Sequence, residues 1–153
     1  MASIREYPAD EVAAQPIGWW SGEVFRRVVG SIREALAVEG LTQPHWWTLN
    51  HAAGEPGRWS RAALTERLRV YDDQATDFDA VYDDLVARGW LAEDPGGMRL
   101  TAEGEAGRLR ARERNLAIHR RTHEGVSEAD FVTTVNVLRR MVANHGGEGN
   151  LPD

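Results

Sequence analysis

The densest chemistry in the sequence lies in "HWWTLNH", where His45, Trp46, Trp47, Asn50 and His51 fall within two helical turns. At helical spacing His45 shares a face with Leu49, Trp46 with Asn50, and Trp47 with His51. Indole faces stack on planar guests, while imidazole and amide groups fix polar substituents. Trp19 and Trp20 add a second indole pair earlier in the chain. Core packing is the better account of any single indole. The cluster as a whole points at least equally to a pocket for a planar guest. The candidate ligand residues are Trp19, Trp20, His45, Trp46, Trp47, Asn50 and His51. Imidazoles also exchange protons near neutral pH, so His45 and His51 are the catalytic candidates if the protein is an enzyme.

Other chemistries find less support. His119 and His123 are four apart on a helical stretch, a chelating spacing, but a third ligand is missing and neighbouring arginines oppose a cation. The expectation is no metal and no cofactor. There is no glycine-rich phosphate loop, nucleophile elbow or Ser/His/Asp signature. Cysteine is absent, which removes disulfides, thiolate metal sites and thiol redox sensing. No apolar run reaches membrane-spanning length and the first residues lack a secretion signal, so the expected compartment is the cytoplasm, with no membrane partner. All 18 basic residues are arginine, and the net charge is −6. An acidic average argues mildly against nucleic acid, because neutralising phosphate drives that binding.

The elements that position these residues can be read from periodicity and caps. A helix is expected from about Pro16 to Glu39, with Trp20, Val24, Val28, Ile32 and Leu36 forming one buried stripe. Thr42 suits the N-cap of a second helix ending at Gly54, and Ser60 that of a third running through Arg69. Thr76, with Asp79 three places on, reads as the start of a fourth helix that stops at Gly89. "WLAEDPGGMRL" reads as two short strands around an Asp94-Pro95-Gly96-Gly97 turn. Thr101 caps a long helix to about His123, and Ser127 a last one carrying Phe131, Val135, Leu138 and Val142 in line. The order is mainly α with a small β-hairpin wing, a winged helix-turn-helix flanked by long N- and C-terminal helices for dimerisation. The expected division is a flexible 1–15, a domain over 16–145, and a flexible tail over 146–153. Within the domain, the winged helix spans about 42–100 and the dimerisation helices 16–39 and 102–145.

"LTQPHWWTLN", "SRAALTERL", "LVARGWLAED", "RLTAEGEAGR" and "VSEADFVTTVNVLRRMV", taken in this order and spacing, resemble the MarR family of winged-helix regulators. The resemblance covers Gly18 to His145. It implies a homodimer joined through its first and last two helices, binding to palindromic duplex DNA, and release by phenolic or otherwise lipophilic ligands held between the dimerisation region and the DNA-binding lobe. The expected DNA contacts are Ser60, Arg61, Thr65, Arg67, Thr76, Arg88 and Arg99. The sequence departs from the family where DNA would be read. Ala75, Asp77, Ala80 and Asp84 are the expected outward positions, flanked by Asp72, Asp73, Asp79 and Asp83, and the wing tip lacks an arginine. Carboxylates beside phosphates repel them. Two readings therefore stand: a ligand-responsive regulator, or the same frame without DNA binding, serving as a small-molecule binding protein or a cofactor-independent enzyme on an aromatic metabolite.

Overall fold

Most of the helices begin where a side chain accepts an orphan amide of the first turn, while the first two follow Pro8 and Pro16 and have no side-chain cap. Thr42 and His45 close a capping box on α3 (Gln43–Gly54), in which Nδ1 of His45 accepts from the Thr42 N–H at 3.2 Å. Ser60 accepts from Ala63 at the head of α4 (Arg61–Leu68), Thr101 from Gly104 on α6 (Ala102–His123), and Ser127 from Asp130 on α7 (Glu128–Asn144). The computed structural model describes residues 3–152, so Met1, Ala2 and Asp153 of the two terminal segments lie outside it. A short helix α1 (Ala9–Ala13) lies within the N-terminal segment.

Helix α2 (Ile17–Ala37) stops as the sequence suggests. Gly40 turns with φ +67°, and the Leu41 and Gly40 amides donate back to the Leu36 and Ala37 carbonyls. This ending also seats Leu36 and Leu41 together in the core.

The start of α5 (Phe78–Ala87) corrects the sequence reading. Its cap is Asp77, which accepts from Ala80 at 3.2 Å, not Thr76. Thr76 is already engaged: its backbone N–H and hydroxyl donate to Asp72 at 2.7 and 2.8 Å, closing the loop that precedes the helix. The third helix also ends one residue earlier than expected, and a single 3-10 turn (Arg69–Tyr71) follows it.

Strands β1 (Leu91–Asp94) and β2 (Gly97–Leu100) pair antiparallel with Leu91 opposite Leu100 and Asp94 opposite Gly97. The segment before α4 lies against β2, with Gly57 N–H donating to Met98 O and Met98 N–H to Trp59 O, both at 2.9 Å. Gly97 makes that approach possible: a Cβ there would stand 2.7 Å from the Gly57 carbonyl. The wing is therefore short, and tied down along its outer edge.

The core gathers Leu49 of α3, Leu64 and Leu68 of α4, Phe78, Tyr82 and Leu85 of α5, and Leu91 and Met98 of the wing. Trp90 fastens this lobe to α6. Its ring lies across Gly107 and its carbonyl across Gly104, where any Cβ would collide. The outer helices differ from expectation. In α2 only Leu36 is buried; Val24 and Trp20 of the same stripe are exposed, and α7 has no buried residue. One chain does not cover these apolar faces. Among the described residues no helix is long and apolar enough to cross a membrane.

Candidate functional site

The seven positions expected to meet DNA all lie in the lobe built by α4, α5 and the wing, yet most of their polar groups already have partners. Arg61, in the first turn of α4, is held by three carboxylates from two other elements. Its Nε and Nη2 donate to the two Glu93 oxygens at 2.7 and 2.8 Å. Its Nη2 also reaches Asp83 at 2.8 Å, and its Nη1 lies 3.4 Å from Asp79. The guanidinium rests over the Tyr82 ring at 5.6 Å. These bonds favour the charged forms, raising the Arg61 pKa above its already high value and holding Glu93 below the usual carboxylate range.

The other contact candidates are similarly occupied. Ser60 caps α4, and the Thr65 hydroxyl shares a hydrogen bond with Tyr82 at 3.0 Å. Arg67 is half-buried on the same helix. Arg88, at the far end of α5, turns back: it pairs with Asp84 at 2.7 Å and donates to the Glu39 and Gly40 carbonyls at 3.2 and 2.8 Å. Arg99 pairs with Asp94 across the hairpin at 3.2 Å and lies against Gly57.

The aspartates of the segment 72–84 divide by role. Asp72 closes the loop to Thr76, and these donated hydrogen bonds hold its pKa low. Asp73 clamps Arg33 of α2 at 2.8 and 2.9 Å. Asp77 is a cap, and Asp84 accepts from His45 and Arg88. Four of the six thus have a structural task. Asp79 and Asp83 remain on the outer face, their side chains 73% and 69% exposed, and pair there with Arg61.

The expected ligand residues fall into two groups. Trp19 and Trp20 pack edge to face at 4.6 Å on the exposed start of α2. Trp46 and Trp47 pack instead against the core of the winged-helix lobe, with Trp47 6.1 Å from Tyr71. Asn50 donates to the Trp46 carbonyl at 2.8 Å and accepts from Arg108 of α6 at 3.2 Å. His51 bonds the Trp47 carbonyl through Nδ1 at 2.9 Å and meets the Trp59 ring edge-on. A mostly apolar crevice of about 770 Å³ opens between Ile17 and Ser21 of α2 and Leu138, Met141 and Val142 of α7. On α6, both amide atoms of Asn115 are buried without a protein partner, a feature the sequence reading passed over. An asparagine one turn beyond the small Ala111 was the available signal.

His45 stands at the centre of a relay. The Thr42 hydroxyl lies 2.7 Å from Nδ1, and Nε2 lies 3.0 Å from Asp84. Because Nδ1 accepts from the Thr42 N–H, the proton of the neutral ring sits on Nε2 and is donated to Asp84. Burial pushes the His45 pKa below the ordinary value, against the opposing pull of Asp84. This is a neutral imidazole able to accept a proton, and it joins α3 to α5. His119 and His123 stack at 4.2 Å beside Phe131, and among the described residues no group of three or more ligating side chains is placed to hold a metal.

No family model matches the chain, and no curated protein matches it. Solved structures do. The Mycobacterium tuberculosis MarR family protein Rv2887 in complex with DNA is 24% identical, with 83% of this chain and 98% of that one covered at a TM-score of 0.64. The same protein with salicylic acid is 25% identical, covering 87% and 100% at 0.58. CouR from Rhodococcus jostii RHA1, bound to p-coumaroyl-CoA, is 21% identical, covering 84% and 92% at 0.67. The fold is the winged helix-turn-helix architecture of MarR-family regulators.

Proposed function

We propose that this protein is a MarR-family transcriptional regulator: a cytoplasmic homodimer that binds duplex DNA and responds to a small aromatic or lipophilic effector. The observation that carries the reading is the pairing of a complete winged-helix lobe with outer helices whose apolar faces one chain leaves open. A second copy is the occupant with the matching surface. In such a dimer the two α5 helices must span half-sites about one helical turn apart, so an effector that alters their separation weakens binding. Rv2887 solved with DNA and with salicylic acid supports both halves of the proposal. CouR bound to p-coumaroyl-CoA supports an aromatic effector. The seven contact positions retain their assignment to DNA in this reading, with α4 contributing more than α5, and the two indole groups theirs to the effector.

A second reading is favoured by Asp79 and Asp83, which place carboxylates where phosphates would approach. Here the frame has lost DNA binding and acts as a small-molecule binder, or as an enzyme using His45 or His51. Sedimentation velocity, fluorescence anisotropy with duplex from the upstream region at low and rising salt, and tryptophan emission with salicylate separate them. The regulator is a dimer, retains duplex at low salt, and loses it steeply as salt rises. A dimer that holds no duplex while its emission responds to salicylate overturns the first reading in favour of the second.

A further inference from the structure

Arg61 is the cation best placed on the reading lobe and the most heavily engaged. One guanidinium faces Glu93, Asp83 and Asp79, so the group carries two net negative charges. Glu93 takes it through two nitrogens, the forked geometry that a phosphate would also use. The three carboxylates come from β1 and from two successive turns of α5, the elements that flank a duplex in the resembled fold. Exposed single ion pairs contribute little, but a forked pair in a network of four groups on rigid elements is the exception.

We infer that Arg61 is a caged phosphate-binding arginine: Glu93, with Asp83 and Asp79, acts as an internal competitor that holds the reading face in a low-affinity state until a carboxylate is displaced or neutralised. The inference rests on the regulator reading for the identity of the competing phosphate. The cage works in two ways. It occupies the donors of Arg61, and it sets carboxylates beside the incoming backbone. A duplex gains Arg61 only after opening the Glu93 fork.

The test uses the full-length protein and a labelled duplex of about 30 base pairs, long enough for two half-sites one turn apart. Binding is followed by anisotropy against salt for the wild type, Glu93→Gln, Asp83→Asn, Arg61→Ala and the double change Glu93→Gln/Arg61→Ala. Glu66→Gln removes the same charge from α4 outside the cage. Circular dichroism confirms the fold of each, and Asp83→Asn probes the cage from another element should Glu93→Gln fold poorly. The expected result is about a tenfold gain for Glu93→Gln, with the salt slope steeper by about 0.9 for one more neutralised phosphate. Glu66→Gln gains less, and the gain disappears when Glu93→Gln is made in the Arg61→Ala background. Equal gains from Glu93→Gln and Glu66→Gln, or a gain that survives loss of Arg61, overturn the cage. Either result, with duplex still held by the wild type, leaves the regulator intact. Binding by Glu93→Gln alone upholds the cage and removes wild-type DNA binding from the proposed function. No duplex binding by any variant overturns both.

Discussion

The helix-turn-helix lobe and the outer helices carry the same kind of apolar stripe, with opposite outcomes. In the lobe, Leu64, Leu68, Tyr82 and Leu85 are fully buried within one chain. On α7, Phe131, Val132, Met141 and Val142 stay exposed, and α2 leaves Trp19, Trp20, Val24 and Phe25 open. Helical periodicity records that a face is apolar and says nothing of whether the covering surface belongs to the same chain. The comparison therefore assigns two jobs. The lobe folds on itself, and in the proposed dimer the outer helices are covered by the partner copy.

The largest effect should come from the lobe. Leu85→Ala removes a fully buried side chain from a core with no access to water, and is expected to cost about 3 kcal/mol in urea unfolding. Met141→Ala on α7 should cost far less at concentrations where the protein is monomeric. Equal costs in the monomer would break the comparison, since α7 would then be buried without a partner.

Next in size is the dimer itself. Phe131→Asp or Val142→Asp places a charge on the face assigned to the second copy, and should raise the dimer dissociation constant at least about tenfold, or ~1.4 kcal/mol. Sedimentation equilibrium reads this directly. An unchanged dimer constant would move the interface off α7.

Caps give an intermediate measure of how far the two regions are coupled. Ser60→Ala and Ser127→Ala each remove one side-chain acceptor at a helix start, worth about 1 kcal/mol. Loss of Ser60 should lower global stability, because α4 sits in the core. Loss of Ser127 should show as faster amide exchange confined to the start of α7. Global destabilisation by Ser127→Ala would show that α7 belongs to the same cooperative unit as the lobe.

Most of the fold was legible because its signals are local. The Thr42, Ser60, Thr101 and Ser127 caps, the Gly40 and Gly89 stops and the Asp94–Gly97 turn each act within a few residues, and the helix order follows from them. Thr76 misled because Asp72 lies four residues upstream and competes for it, leaving Asp77 as the acceptor nearest the first turn. The site was harder to read. The segment 72–84 looked like one acidic surface, whereas Asp73 and Asp84 reach Arg33 and His45, 40 and 39 residues away in sequence. The Arg61 group combines residues 61, 79, 83 and 93, and only the i, i+4 spacing of Asp79 and Asp83 hinted at a shared face. The two tryptophan pairs separate because Trp19 and Trp20 begin α2, while α3 follows the other end of that helix.

His45 gives the smallest and most specific prediction, because it joins α3 to α5 through a titratable ring. Its folded pKa lies below 6.5, with burial outweighing the attraction of Asp84. The unfolded chain therefore takes up this proton first as the pH falls, and the stability tied to the neutral ring is present above pH 6.5 and lost below it. Protonation also places a hydrogen on Nδ1, where the ring now accepts from the Thr42 N–H, so the capping box opens as charge appears. Glutamine is a normal partner at this capping position, so His45→Gln retains the box and removes the titration. Its unfolding free energy should be flatter than that of the wild type as the pH falls through 6.5 and before the carboxylates begin to protonate. Parallel curves for the two proteins would place the pH response elsewhere and leave His45 a purely structural link between α3 and α5.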